Sequence, residues 1–388
     1  MRSLPRARGD FSELLLDALE GSPHELARSE LPPTREPLDD DDLHLALYLS
    51  YELHYRGLPG VDEGWEWEPS LLALRRELEQ RFERALLEAV PLGEASVPPE
   101  EIDLALREIA EADGPSVSSY IRSEATVDHV REFMVHRSAY QLKEADPHSW
   151  AIPRLFGRPK AAMLEIQFDE YGRGRSEWIH AELFARAMGA LGLNPEYGAY
   201  LELIPGATLA TVNHMSMLGL HRRWRGAIVG HLALFEMTSS IPNRMYGDGI
   251  RRLGFDGDAT LFFDEHVTAD AVHDNIAAVD LAGGLVRQDP SLAASVLWGA
   301  RTLSELGARW GAHLLSCWRA GHTSLRSGVG AKPTGARNPT SLCVPSQNGF
   351  SRDRPQRQSA TGSRSHAISA PSGPTNRIGP RTSSGPSR

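Results

Sequence analysis

The stretch Leu261-Phe-Phe-Asp-Glu-His-Val-Thr-Ala-Asp-Ala-Val-His-Asp-Asn-Ile276 places His266, Asp270 and His273 at i, i+4 and i+7. At about 100° per residue, the three fall within roughly 60° of one another on a helix. Phe262, Phe263, Ala269 and Ala277 project to the same side, whereas Asp264, Thr268 and Asn275 lie opposite. The imidazoles and the carboxylate are therefore expected to point inward among aromatic rings. Burial without partners is costly for such groups, so the face calls for either a hydrogen-bond network or a metal ion. Mixed histidine and carboxylate ligation suits iron, manganese or zinc.

Working outward, a second polar set stands in Glu165-Ile-Gln-Phe-Asp-Glu-Tyr-Gly-Arg-Gly-Arg-Ser-Glu-Trp-Ile-His180. Glu177 and His180 form a Glu-x-x-His pair whose helical face would include Phe184, Ala187 and Leu191. Glu170 lies seven residues before Glu177 and would share that face if the helix ran unbroken, but Gly172 and Gly174 intervene. Glu236 shares a helix side with Val229, Leu232 and Ala233 and has no basic residue in its own stretch to pair with. It reads as a ligand, a base behind the ligands, or a buried acid with a distant partner. Glu144, near the end of a helix carrying Phe133, Arg137 and Tyr140, is locally no better marked than Glu132 or Glu165. His44, His54, His136, His214, His221, His231 and His313 lack clustered partners and read as packed or surface histidines.

The rest of the chain alternates helical patterns with Pro- and Gly-rich breaks, and no strand alternation extends over six residues. Helices are expected over 11–19, 43–53, from a Ser70 cap to 88, 101–112, from a Thr126 cap to 145, 155–168, 177–191, 195–219 and 226–240. Residues 243–257 read as a turn-rich connection, and 281–326 as two further helical stretches. The fold class is all-α. Residues 327–388 are dominated by Ser, Gly, Pro, Arg and Thr without periodicity, so disorder is expected there. Their abrupt onset is equally what a translated alternative reading frame would look like.

Composition narrows the classes. With 388 residues and 41% hydrophobic content, the chain can bury a large core. No apolar run approaches a membrane span, and Leu14-Leu-Leu16 is too short for a signal peptide, so a cytoplasmic location is expected. Cys317 and Cys343 exclude a thiolate metal site. The net charge of −10 divides into +8 on residues 327–388 and −18 on the remainder, which disfavours nucleic acid as a partner of the folded body.

Taken in order, an isolated Glu, then Asp-Glu-Tyr-Gly with a His ten residues after its Glu, then His-x-x-x-Asp-x-x-His, all on a helical chain, resembles the haem-oxygenase-like diiron oxidases and oxygenases, the iron-containing redox enzymes. It departs from ferritin-like proteins, which use two Glu-x-x-His repeats. The resemblance implies a haem-oxygenase-like bundle over residues 113–326, preceded by a helical extension over 1–112 and followed by the 327–388 tail. It implies a metal set of Glu144, Glu170, Glu177, His180, His266, Asp270 and His273, with Glu177 a ligand in only some members. It further implies two non-haem Fe ions, O2 as co-substrate, a small-molecule substrate, an external electron donor and a homodimer. Phe184, Phe262 and Phe263 would line a pocket for a hydrophobic or amino-acid-derived substrate. The competing readings are a cofactorless or thiamine-salvage-type enzyme on the same scaffold, and a helical interaction protein holding a structural metal.

Overall fold

In α2 (Asp41–Glu52), the Asp40 carboxylate accepts from the amides of Asp42 and Leu43 at 2.9 and 2.8 Å, and two more acids occupy the first turn. This satisfies orphan donors and complements the positive end of the helix dipole. Similar local logic begins α6 (Val127–Gln141), where Thr126 and His129 form a reciprocal cap. At α3 (Pro69–Ala89), however, the cap is Glu68, accepting from the Leu71 amide at 2.8 Å. The Ser70 hydroxyl instead donates to Glu68.

The computed structural model describes residues 4–27, 31–93, 97–112 and 114–327, except the side chains of 270–272. The expectation for the tail therefore lies, from residue 328 on, outside the described residues. The remaining helices are α1 (Asp10–Leu19), α4 (Ile102–Ala110), α5 (Val117–Ser123), α7 (Asp146–Ser149), α8 (Gly157–Glu170), α9 (His180–Ala190), α10 (Gly206–Leu220), α11 (Arg225–Arg252), α12 (Asp258–Asn275), α13 (Gly284–Gln288) and α14 (Ala293–Arg319). A π-helical segment, Ile276–Gly283, joins α12 to α13. Among the described residues there is no strand, only an isolated bridge between Tyr171 and Ile179. The fold is all-α, as the periodicity implied.

The described residues pack as one compact unit. One hydrophobic cluster runs from Leu15 and Leu43 in the first helices through Met163, Leu209 and Ile228 to Trp298. A second gathers Tyr120, Phe133, Phe184, Phe262, Phe263 and Trp318. The N-terminal helices thus share the main core with α8, α10, α11 and α14, without a packing break at residue 112.

The turn-rich connection expected over 243–257 is mostly helix, because α11 continues through Pro242 to Arg252. A proline inside a helix costs about 3 kcal/mol, and Asn243, Gly247 and Gly249 are weak helix formers. Packing outweighs both. A Cβ on Gly249 would overlap the Ile121 carbonyl in α5, so the residue that weakens the helix also lets α5 approach it. The same device brings α11 against α14, where a Cβ on Gly230 would overlap the Val296 carbonyl and one on Gly299 that of Ala227.

Candidate metal centre

The inward face of α12 forms as its periodicity requires. Phe262, Phe263, Ala269 and Ala277 are buried, His266 and His273 retain 4% and 1% exposure, and Thr268 and Asn275 are exposed. Asp270 shares this helix, but its side chain lies outside the described ones. The π-helical segment begins three residues after His273, and such segments occur frequently at functional sites.

Glu170 and His180 meet through a loop rather than along one helix. Glu170 is the last residue of α8 and His180 the first of α9. The chain between them is folded back by the Tyr171–Ile179 bridge and by Gly172 at φ +66°, where a Cβ would strike the Trp178–Ile179 backbone. His180 Nδ1 then stands 3.0 Å from Glu170 Oε2, but not aligned for a hydrogen bond. Glu144 follows α6, immediately before Ala145 at φ +74°. A positive φ on a non-glycine residue is strained, and such strain clusters at functional sites.

The structure brings these side chains into two buried groups. Glu144, Glu170, His180 and His266 form one; Glu170, Glu236 and His273 form the other; within each group every candidate ligand atom lies within 4.8 Å of the others. Glu170 belongs to both. Glu177 does not join them. It is exposed in the short 3-10 turn Ser176–Trp178, and Ile179 separates that turn from α9, so the Glu-x-x-His face never forms. Phe184, Phe262 and Phe263 pack into the second hydrophobic cluster. None of the seven isolated histidines enters either group. His136, for example, is held by Thr208 at 2.7 Å and Ser324 at 3.0 Å.

Neighbouring acceptors decide which ring nitrogens face the centre. His266 Nδ1 lies 2.8 Å from the Phe262 carbonyl, which can only accept, so this nitrogen carries the proton and Nε2 faces Glu144 at 3.7 Å. His273 Nε2 is 3.0 Å from Asp169, leaving Nδ1 toward Glu236 at 3.3 Å. Orientation by such outer hydrogen bonds is how ligand histidines are set toward a metal. Asp169 was not singled out in the sequence; being adjacent to Glu170, it carries no periodic signal of its own.

Among the described residues, buried Glu144 Oε2, His180 Nδ1 and His273 Nδ1 lack hydrogen bonds. Orphaned polar atoms converging with hard carboxylates are the chemistry of a cation site, and the residues fit iron, manganese or zinc. The electrostatics of the metal-free cluster agree. Burial pushes Glu170 up, yet His180, His266 and His273 together hold the carboxyl down at about 2. Burial pushes His273 down, but Glu236 and Asp169 raise it to about 9. Burial, then Glu144, Glu170 and Glu236, pushes the Tyr140 phenol upward. Tyr140, His148 and Gln167 line a narrow cleft with Glu144, Glu170, Glu236 and His266.

The fold is helical and its buried donor set could hold a metal ion, and residues 131–308 match the model of the family described as iron-containing redox enzyme. A particular relative is the nitrosourea synthase of Streptomyces achromogenes subsp. streptozoticus, 26% identical over 158 residues, which are 40% of this chain and 33% of the relative. The similarity thus spans about a third of that protein. Among the described residues, no helix is long and apolar enough to cross a membrane.

Proposed function

We propose that the chain is a non-haem diiron oxidase or oxygenase acting on a small organic substrate. The observation that carries this reading is Glu170, the carboxylate common to both groups. Glu144, His180 and His266 would hold one ion, Glu236 and His273 the other, with Glu170 between them; Asp270 remains a candidate from its place on α12. Two iron ions held there would supply dioxygen activation. The chain's own residues keep the site dry, with all six grouped residues at 7% exposure or below. Asp169 and the Phe262 carbonyl fix the imidazole orientations, and the Tyr140 hydroxyl keeps its proton at the rim. Dioxygen as co-substrate and an external electron donor complete the reading. The likeness to a nitrosourea synthase makes nitrogen-containing substrates the first to test.

The experiment is anaerobic reconstitution with Fe(II), followed by metal counting and absorption spectroscopy on admitting oxygen. About two irons per chain with a transient visible band is the expected result. No uptake, a single redox-inert equivalent, or unchanged binding in His266→Ala/His273→Ala would refute it.

A further inference from the structure

A much larger cavity, of about 860 Å³, adjoins the narrow cleft, and Phe235, Glu236 and Ser239 line both. A molecule in the large cavity therefore reaches the wall that carries the second group of grouped carboxylates. The composition of the rest of that wall is informative. Among the described residues its charged side chains are Arg137, Glu236 and Asp274. The acids are compensated: Glu236 by His273 at 3.3 Å, and Asp274 by Arg107 at 3.5 Å.

Arg137 is not. It is half-buried, and among the described residues it makes no ion pair or hydrogen bond; its guanidinium lies 5.7 Å from the centre of the Trp310 ring. Trp310 is itself part of the wall, and its indole N–H is buried without an acceptor among the described residues. A half-buried guanidinium with no carboxylate beside it and an unsatisfied indole donor next to it are two groups that both need an acceptor, and only the first needs a negative one. The planar fork of an arginine matches a carboxylate with paired hydrogen bonds. Tyr246 beside them offers an aromatic flank.

We propose that the cavity is the substrate site and that Arg137, with the Trp310 indole, binds the carboxylate of an organic acid whose body extends toward Glu236. This rests on the diiron reading for what happens to the acid, but its test does not. Arg137 positions the substrate and takes no part in holding metal.

Binding of benzoate, 3-phenylpropionate, octanoate and N-acetylphenylalanine is measured by calorimetry on the full-length chain after chelation, each beside its primary amide. Removing metal ensures that a carboxylate cannot register by ligating iron. At least one acid is expected to bind ten times or more tighter than its amide, a preference that Arg137→Gln abolishes and Arg137→Lys partly retains, with circular dichroism confirming the fold of each variant. Equal binding of acid and amide, a preference that survives Arg137→Gln, or no acid binding at all would overturn the proposal. Iron counting on the same three proteins separates the two readings. Normal iron uptake with no acid preference removes this inference alone, and an Arg137-dependent acid preference without iron removes the diiron reading alone.

Discussion

Lys143 immediately precedes Glu144, and its ammonium is wholly buried against Glu52 of α2, with the two side chains 0% and 1% exposed. The Tyr48 and Tyr55 rings lie 4.8 and 4.4 Å from Nζ, and the Tyr197 hydroxyl donates to the other Glu52 oxygen at 2.5 Å. Removing one member of a buried pair costs about 3–5 kcal/mol, because the other charge is left uncompensated. For Glu52→Gln the two rings offset part of that, so about 3 kcal/mol is expected; for Lys143→Met, which strands the carboxylate, about 4. The double change to apolar residues, Glu52→Leu/Lys143→Met, removes both charges and leaves only the Tyr197 and neighbouring phenol donors short, roughly 1–2 kcal/mol. The double variant should therefore be more stable than either single one. Urea unfolding followed by circular dichroism at pH 7 reads this directly: with a slope of about 3 kcal/mol/M, each single change lowers the midpoint by roughly 1 M. A double variant as unstable as the sum of the singles would refute the reasoning, and with it the idea that α2 anchors the segment bearing Glu144.

Asp169→Asn should lower the His273 pKa from about 9 toward its ordinary value and weaken iron binding about 10- to 100-fold, readable by histidine NMR and metal titration. In the metal-free protein, protonated His273 contributes stability that is fully present below pH 6.5 and lost as pH rises through about 9, so thermal stability should decline across that window and flatten in His273→Gln. On the acid side, burial holds His148 at about 4 and His136 and His214 at about 3, so these rings are neutral when folded and stability should fall as pH drops below 6.5; His136→Gln removes part of that slope. Gly230→Ala and Gly299→Ala should each cost at least 1–3 kcal/mol, measured by thermal denaturation, since backbone carbonyls occupy the Cβ positions and cannot rotate away. A neutral effect at either glycine would contradict the α11–α14 contact.

Much of the centre was legible along the chain. His266 and His273 could be read as inward because a helix repeats its faces at a fixed angle, so Phe262, Phe263 and Ala277 reveal which side is buried. Glu236 carried the same signal through Val229 and Ala233. Periodicity assumes that the helix continues, and where it stops the inference fails. Glu177 was placed beside His180 on a face that does not exist, since α9 begins at His180. Asn243 to Arg252 was read as loop although it is helix, because propensity counts Pro242, Gly247 and Gly249 as breakers and is blind to the carbonyls of α5 against which glycine alone fits.

By itself the sequence determined the all-helical class, the polar face of α12 and the kinds of ligand atom available, since these depend on residue type and on angles within one element. Tertiary structure alone decided that Glu170 serves both groups, that Asp169 orients His273, that Arg137 lines a cavity with no ion pair among the described residues, and that α2 reaches across to Lys143. Each of these joins residues from different helices, and their distances are set by how loops close and side chains pack, which no pattern along a single helix records.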